Sequence, residues 1–277
     1  MSLETQIAAL IQSSNNLADI VAQKIAGIDQ KVDEATQAVP DAIRNLSSAT
    51  YYIDAENGDD NNSGLNGKNA FKTFAPLRDL IVSGSYTTVG LREGQDHLHE
   101  GPSAVVAQTG TILFERWGNT NGVANPRIVS RPYINSSGVY AGQFFTARTG
   151  AAIFSFVDII SESPNDGTPE SAFSGFVYGY RSSVELFFHE SNIELKNRPL
   201  VARAAAGQTN VSLNLFGGGL VLNERNSSEQ LIHTEGSFPP FRISVSSGFA
   251  LPVGVQWADV LPLNGDGFNA LSNISLV

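Results

Sequence analysis

The sequence predicts a mainly β solenoid of parallel strands, preceded by an N-terminal α-helical coiled-coil stalk. Three observations carry that prediction. The first fifty residues hold one Gly and a heptad ladder of apolar side chains. The remainder is rich in Gly, Asn and Ser with short alternating strands. Within it an order of apolar pair, turn and strand recurs, with strand starts 31, 27 and 30 residues apart. A fixed period in which each unit holds several short strands marks a stacked repeat.

The stalk is read over residues 1–46. Its seam runs Leu3, Ile7, Leu10, Ser14, Leu17, Val21, Ile25, Ile28 and Val32, and continues through Ala35, Val39, Ala42 and Leu46. The steps alternate between three and four, with one stutter at Leu17–Val21–Ile25. The stripe is narrow and the other faces are Gln, Asn, Asp, Lys and Ser, so self-association is the expected way to bury it. An amphipathic helix lying on its own domain is the alternative. Pro40 removes a backbone donor and is expected to end or kink the helix, with a second short helical start at Val39-Pro40-Asp41-Ala42. Residues 47–50 are expected to be a hinge.

The body spans 51–277. Tyr51–Asp54 reads as a short strand, and the Gly/Asn/Asp run 56–68 as a long turn-rich loop. Thr73 is placed to cap a short helix over about 74–82, with Phe74, Leu77, Leu80 and Ile81 on its apolar side. Beyond residue 100 the recurring pairs are Val105-Val106, Phe144-Phe145, Phe176-Val177, Leu200-Val201 and Leu231-Ile232. The strands after them begin near Ile112, Ile153, Val184, Val211 and Phe241. A second apolar pair follows a bend at Ile193/Leu195, Leu220/Leu222 and Phe249/Leu251, whereas the Ile153 unit puts Ser155 in an inward slot and Glu162–Gly167 in place of that pair. Strand content and Gly-rich turns favour a parallel β-helix over helical repeats. A β-sandwich with accidental self-similarity is the alternative.

Composition excludes several classes of function. Among 277 residues there are 17 basic and 27 acidic side chains, a net charge of −10, so no nucleic-acid partner is expected. Zero cysteines exclude disulfides, thiolate metal sites and a thiol nucleophile. No apolar run approaches the roughly 18 residues of a membrane span, and the N-terminus lacks the pattern of a secretory signal. Neither membrane insertion nor secretion is expected.

Residues 51–81, YYIDAENGDDNNSGLNGKNAFKTFAPLRDLI, resemble the opening segment of pectate-lyase-like right-handed β-helix domains. The likeness rests on a strand ending in Asp54, the Gly58-Asp59-Asp60 element, Phe71-Lys72-Thr73 and the short helix after it. Residues 88–94 and 125–133 are similar to the next strands of that family. A heptad segment joined to such a domain resembles the layout of bacteriophage tail fibres and tailspikes. The resemblance implies a homotrimer in the virion tail, made in the host cytoplasm. It also implies a tail or baseplate protein as the partner of the stalk, and a host-surface glycan or protein as the partner of the body. Many relatives cut surface polysaccharide, usually with a longer solenoid than the roughly 225 residues available here.

Candidate chemistry is sparse. The densest ionisable cluster, residues 92–100, contains His97 and His99 flanked by Asp96 and Glu100. It is read as a solvated loop, with a metal or acid/base site as the alternative. Neither metal nor cofactor is assigned. Alignment of the strands at Ile153, Val184, Val211 and Phe241 gives three outward columns: Phe154, Glu185, Ser212, Arg242; Phe156, Phe187, Asn214, Ser244; and Asp158, His189, Phe216, Ser246. Asp158 and Glu185 are then candidate carboxylates on neighbouring rungs, about 4.8 Å apart in stacking direction, for the pair that glycoside hydrolysis requires; acids on a solvated sheet face are the other reading, and no catalytic residue is assigned. Outward Phe156, Phe187 and Phe216 need a cover, either a neighbouring subunit or sugar rings with His189, Asn214 and Arg242 as hydrogen-bonding partners. Trp117, Tyr133, Tyr140, Tyr178, Tyr180 and Trp257 are further aromatic candidates. The expected function is a receptor-binding tail adhesin. The alternatives are a short tailspike depolymerase, hydrolase or lyase, and a structural tail connector.

Overall fold

The computed structural model describes residues 2–101, 105–119, 122–171, 174–203, 210–234, 240–264, 267 and 269–276. The chain divides into two compact units, Met1–Leu46 and Ser47–Val277.

The first unit is a helix, α1, Leu3–Ser47. Ser2 opens it: its hydroxyl accepts from the Thr5 amide at 3.4 Å, and Glu4 places a negative charge against the first turn. At about 1.5 Å per residue, 45 residues extend roughly 67 Å. The helix continues through Pro40 and does not end there. One missing ladder donor, a loss of about 3 kcal/mol, is a local defect that helical residues on both sides outweigh. The seam side chains Leu3, Ile7, Leu10, Leu17, Val21, Ile25, Ile28 and Val32 are 48–72 % exposed. The rest of the seam, at Val39, Ala42 and Leu46, lies outside the described side chains.

The second unit is mainly β. In chain order its strands are β1 (Ser48–Ile53), β2 (Ser85–Arg92), β3 (Asp96–Glu100), β4 (Val105–Trp117), β5 (Arg127–Arg131), β6 (Tyr133–Ile134), β7 (Tyr140–Ala141) and β8 (Phe145–Ser155). They continue as β9 (Asp158–Glu162), β10 (Val177–Lys196), β11 (Val201–Arg203), β12 (Asn210–Leu222), β13 (Ile232–Thr234), β14 (Phe241–Val245), β15 (Phe249–Ala250) and β16 (Ala270–Ser272). Ser48–Thr50 pair with Tyr86–Thr88, so residues 47–50 are divided between α1 and β1. The helix expected over 74–82 is one turn, α2, Leu77–Leu80. Ahead of it the Asp60 carboxylate accepts from the Lys72 and Thr73 amides and the Thr73 hydroxyl, at 2.9, 2.8 and 2.6 Å. That clamp folds the Gly58–Asp60 loop back onto Phe71–Thr73.

Apart from the β6–β7 pair, all strands join one large parallel sheet. Its main path is β1-β2-β4-β8-β10-β12-β14-β16. Successive pairings align Tyr51, Val89, Phe114, Phe154, Phe188, Leu215 and Val245, all buried. Within that column the Phe114 and Phe154 rings stack at 5.2 Å, and Phe154 and Phe188 at 4.9 Å. A second path aligns His97, Ile128, Ile159, Ile193 and Leu220. A third aligns Val105, Phe145, Val177, Val201 and Ile232, one member of each recurring pair, with Val105 standing one residue out of step where the pair order placed Val106. Identical apolar positions stacked in register bury one continuous core.

One expected alignment is wrong by three residues. Val184 pairs with Gly150, and Ile153 pairs with Phe187. An odd slip exchanges the two faces of a strand. Phe154 therefore points inward and is wholly buried, whereas Ile153 faces out. The misreading arises because Gly110 and Gly150 occupy the first inward position, where an apolar side chain was expected. Ser155 consequently lies in the outward column with His189, and Ile159 supplies the first post-bend apolar position. After the bend of the last repeat, Gly218 pairs with Phe249, so Phe249 is two positions out of step with the expected pairing to Leu220.

The bend itself is stacked. Phe156, Glu190 and Gly217 have φ of 53°, 51° and 79° at successive corners. Next to them Gly218, at φ +81°, brings its backbone so close to β10 that a Cβ would lie 2.0 Å from the Ser191 carbonyl oxygen.

Candidate functional site

The outward face of β10, β12 and β14 collects most of the predicted site residues, because strand alternation and a common register array them in columns. Glu185, Ser212 and Arg242 are in register, as are Phe187, Asn214 and Ser244. His189 is in register with Phe216. The members taken from the Ile153 strand are different from those expected: Ala151, Ile153 and Ser155 complete the three columns.

Asp158 does not meet Glu185. It lies beyond the corner, in register with Arg127 on β5, and its Oδ1 accepts from the Asn192 amide at 2.8 Å and from Asn125 Nδ2 at 3.1 Å. Glu185 instead has Ala151 and Ser212 as its rung neighbours. The Asp158–Glu185 pair is thus a correction to the expected acid/base arrangement: the positive-φ turn at Phe156 separates the two columns. On the side where Asp158 sits, charges alternate along the stack. Arg127 grips Asp96 through two bonds of 2.6 and 2.7 Å, Arg131 pairs with Glu162, and Lys196 meets Glu194 at 3.0 Å. This edge is a set of satisfied ion pairs.

Phe156 also leaves its expected column. At the corner it is 36 % exposed, its ring lies edge-on to His189 at 5.2 Å, and the Arg116 guanidinium sits 5.0 Å over it. Phe216, in register with His189, is 41 % exposed, while Phe187 is half-buried. Asn214 is buried and its amide donates to the Leu186 carbonyl at 3.3 Å, which commits it to the sheet. A groove of about 380 Å³ lies over the first column, lined by Glu185, Ser212 and Arg242 together with Asn210, Pro240 and Leu271.

The other aromatic candidates mostly serve packing. Trp117 meets Tyr52 at 5.2 Å beneath the Arg92 guanidinium, Tyr140 donates to Asp166 at 2.8 Å, and Trp257 stacks on Phe249 at 6.3 Å. The side chain of Tyr180 lies outside the described residues.

The 92–100 segment is not a solvated loop. Residues 96–100 form β3, with His97 and His99 inward and Asp96, Leu98 and Glu100 outward. The His99 ring meets Phe144 edge-on at 5.3 Å, and His97 Nε2 bonds the Arg92 carbonyl at 3.1 Å. Burial pushes the His97 imidazole below its ordinary pKa, only partly offset by that bond and by Asp54 and Asp96. Among the described residues no group of three or more His, Cys, Asp or Glu is arranged to hold a metal.

Sequence reasoning missed the largest buried polar side chain, Arg198. Its guanidinium donates to the Gly142 and Gly175 carbonyls at 2.6 and 2.7 Å, to Ser130 O and Oγ at 2.8 and 3.0 Å, and to Ser174 Oγ at 3.3 Å. Burial lowers its pKa to about 10 against the pull of the Glu170 charge. The only sequence signal was a basic residue directly before Pro199 and the Leu200-Val201 pair. Glu229 is likewise buried, accepting from the Asn197, Glu224 and Arg225 amides at 2.8–3.0 Å. Both are internal braces.

No protein-family model matches the chain, and no curated protein matches it.

Proposed function

We propose that this chain is a virion tail adhesin. Its helix joins two further copies in a trimeric coiled-coil stalk held by a tail or baseplate protein. Its body is a right-handed parallel β-helix that binds a host surface polysaccharide. The observation that carries the reading is the uncovered seam of α1: eight large apolar side chains, each about half exposed or more, repeat at heptad spacing on a 45-residue helix. A seam of that period is buried by like helices. The in-register parallel pairing of the second unit supports the β-helix, and the aromatic and polar side chains on the β10–β12–β14 face supply what glycan contact uses. Binding is favoured over cleavage because the carboxylate pair on which hydrolysis was premised is split between two faces.

Light scattering on the full chain tests the stalk. The expected particle has three times the 29.5 kDa of one chain, and the double variant Val21→Asp, Ile25→Asp dissociates it. A wild-type particle of 29.5 kDa overturns the stalk. Labelled protein should bind host cells and lose that binding when surface polysaccharide is stripped. Shortening of a purified host polysaccharide by the protein would instead establish the depolymerase.

A further inference from the structure

We infer that the groove over β10, β12 and β14 takes a polysaccharide with anionic sugars, anchored by Arg242. The inference rests on the adhesin reading in one respect, that the ligand is a host glycan.

The groove follows from side-chain size along one outward column, which runs Thr111, Ala151, Glu185, Ser212, Arg242 and Leu271 in register. The short side chain of Ser212 leaves a low point between Glu185 and Arg242, which flank it on the neighbouring strands. Glu185 and Arg242 are the two charged side chains among the described residues that line the groove.

Neither is engaged. Arg127, Arg131 and Arg198 spend their guanidiniums on Asp96, Glu162 and a set of carbonyls, whereas Arg242 makes no hydrogen bond or ion pair among the described residues, and neither does Glu185. An exposed guanidinium held ready in a groove, on a chain of net charge −10, is the point on this face at which an anion gains rather than loses. Its planar fork matches a carboxylate or sulfate through two parallel bonds. Glu185 stands two rungs away, at about 9–10 Å along the stack, and sets the polarity of the site. It accepts sugar hydroxyls at its own end and repels a second acid there. The ligand is therefore oriented, with its charged group over β14 and its neutral ring edge over β10.

Titration calorimetry on the full chain with three probes tests this: an oligogalacturonate, a sulfated dextran oligosaccharide and a neutral dextran oligosaccharide. The anionic probes are expected to bind at least about tenfold more tightly than the neutral one, and less tightly as salt is raised. The oligogalacturonate and the sulfated probe separate carboxylate from sulfate as the source of the charge. Arg242→Gln should weaken the anionic probes about tenfold, with unchanged circular dichroism and oligomeric mass. Glu185→Gln should tighten them about two- to threefold, since it removes a like charge without adding a contact. Equal binding of all three probes, no binding of either anionic probe, or no effect of Arg242→Gln overturns the assignment. Host-cell binding that persists under any of these results leaves the adhesin reading standing, and its absence removes that reading separately.

Discussion

Replacing Phe154 by Ala tests the register on which every assignment of the outer face depends. The ring is wholly buried, stacked between Phe114 at 5.2 Å and Phe188 at 4.9 Å, and Phe176 approaches it at 5.8 Å. Deleting a buried Phe side chain costs about 3–5 kcal/mol, the transfer of the lost atoms plus the cavity left between two rungs. Within that, each aromatic stack contributes about 0.5–1.5 kcal/mol, so Phe154→Leu should cost about 1–3 kcal/mol. Ile153→Ala, one residue away on the outward face, should cost about 1 kcal/mol or less. Equilibrium urea unfolding followed by Trp117 and Trp257 fluorescence reads the second unit, where both tryptophans lie. The difference appears as a lower midpoint at constant m-value. If Phe154→Ala costs less than about 1 kcal/mol while Ile153→Ala costs more than about 3 kcal/mol, the strand faces the other way and the argument from register fails.

Two further outcomes follow from buried polar groups. The His97 imidazole has its pKa pushed down by burial in the folded chain, so the unfolded chain takes up a proton first as pH falls below about 6.5. Stability should drop from there through the lower folded pKa, by at most about 1.4 kcal/mol per pH unit, and His97→Gln should flatten that part of a denaturation-midpoint-versus-pH profile. Arg198→Met should destabilise by about 3–5 kcal/mol, because the Gly142, Gly175 and Ser130 carbonyls lose a buried donor. A change below about 1 kcal/mol in urea unfolding would show that water replaces the guanidinium there.

The seam of α1 and the recurring apolar pairs were legible because both are periodic. Leu3 to Val32 fall on one helical face by arithmetic alone, and Phe145, Val177, Val201 and Ile232, the second members of four recurring pairs, align, whereas Val105 takes the place the pair order gave to Val106. The columns through Glu185, Phe187 and His189 were likewise legible on β10, β12 and β14, where the strands alternate cleanly. The Ile153 strand was misaligned because its inward start is Gly150, and a glycine carries no hydrophobic signal. Phe156 and Asp158 were misplaced with it, since a non-glycine residue at positive φ gives no warning in the sequence of a corner.

What the amino-acid sequence determined by itself is local and periodic: a long polar helix with an apolar seam, a cysteine-free acidic chain, and short alternating strands returning at a near-constant interval. Side-chain periodicity and backbone propensity act over a few residues, so they are written in the order of the chain. Only the tertiary structure decided which residues stand in register on neighbouring strands. It turned His97 and His99 from a loop into the core, gave Arg198 five hydrogen bonds to four residues distant in the chain, and parted Asp158 from Glu185. It also left Glu185 and Arg242, on either side of Ser212, without a hydrogen bond or ion pair among the described residues. Those relations depend on register between strands about thirty residues apart, and register is set by the packing of whole faces, which no short stretch of sequence contains.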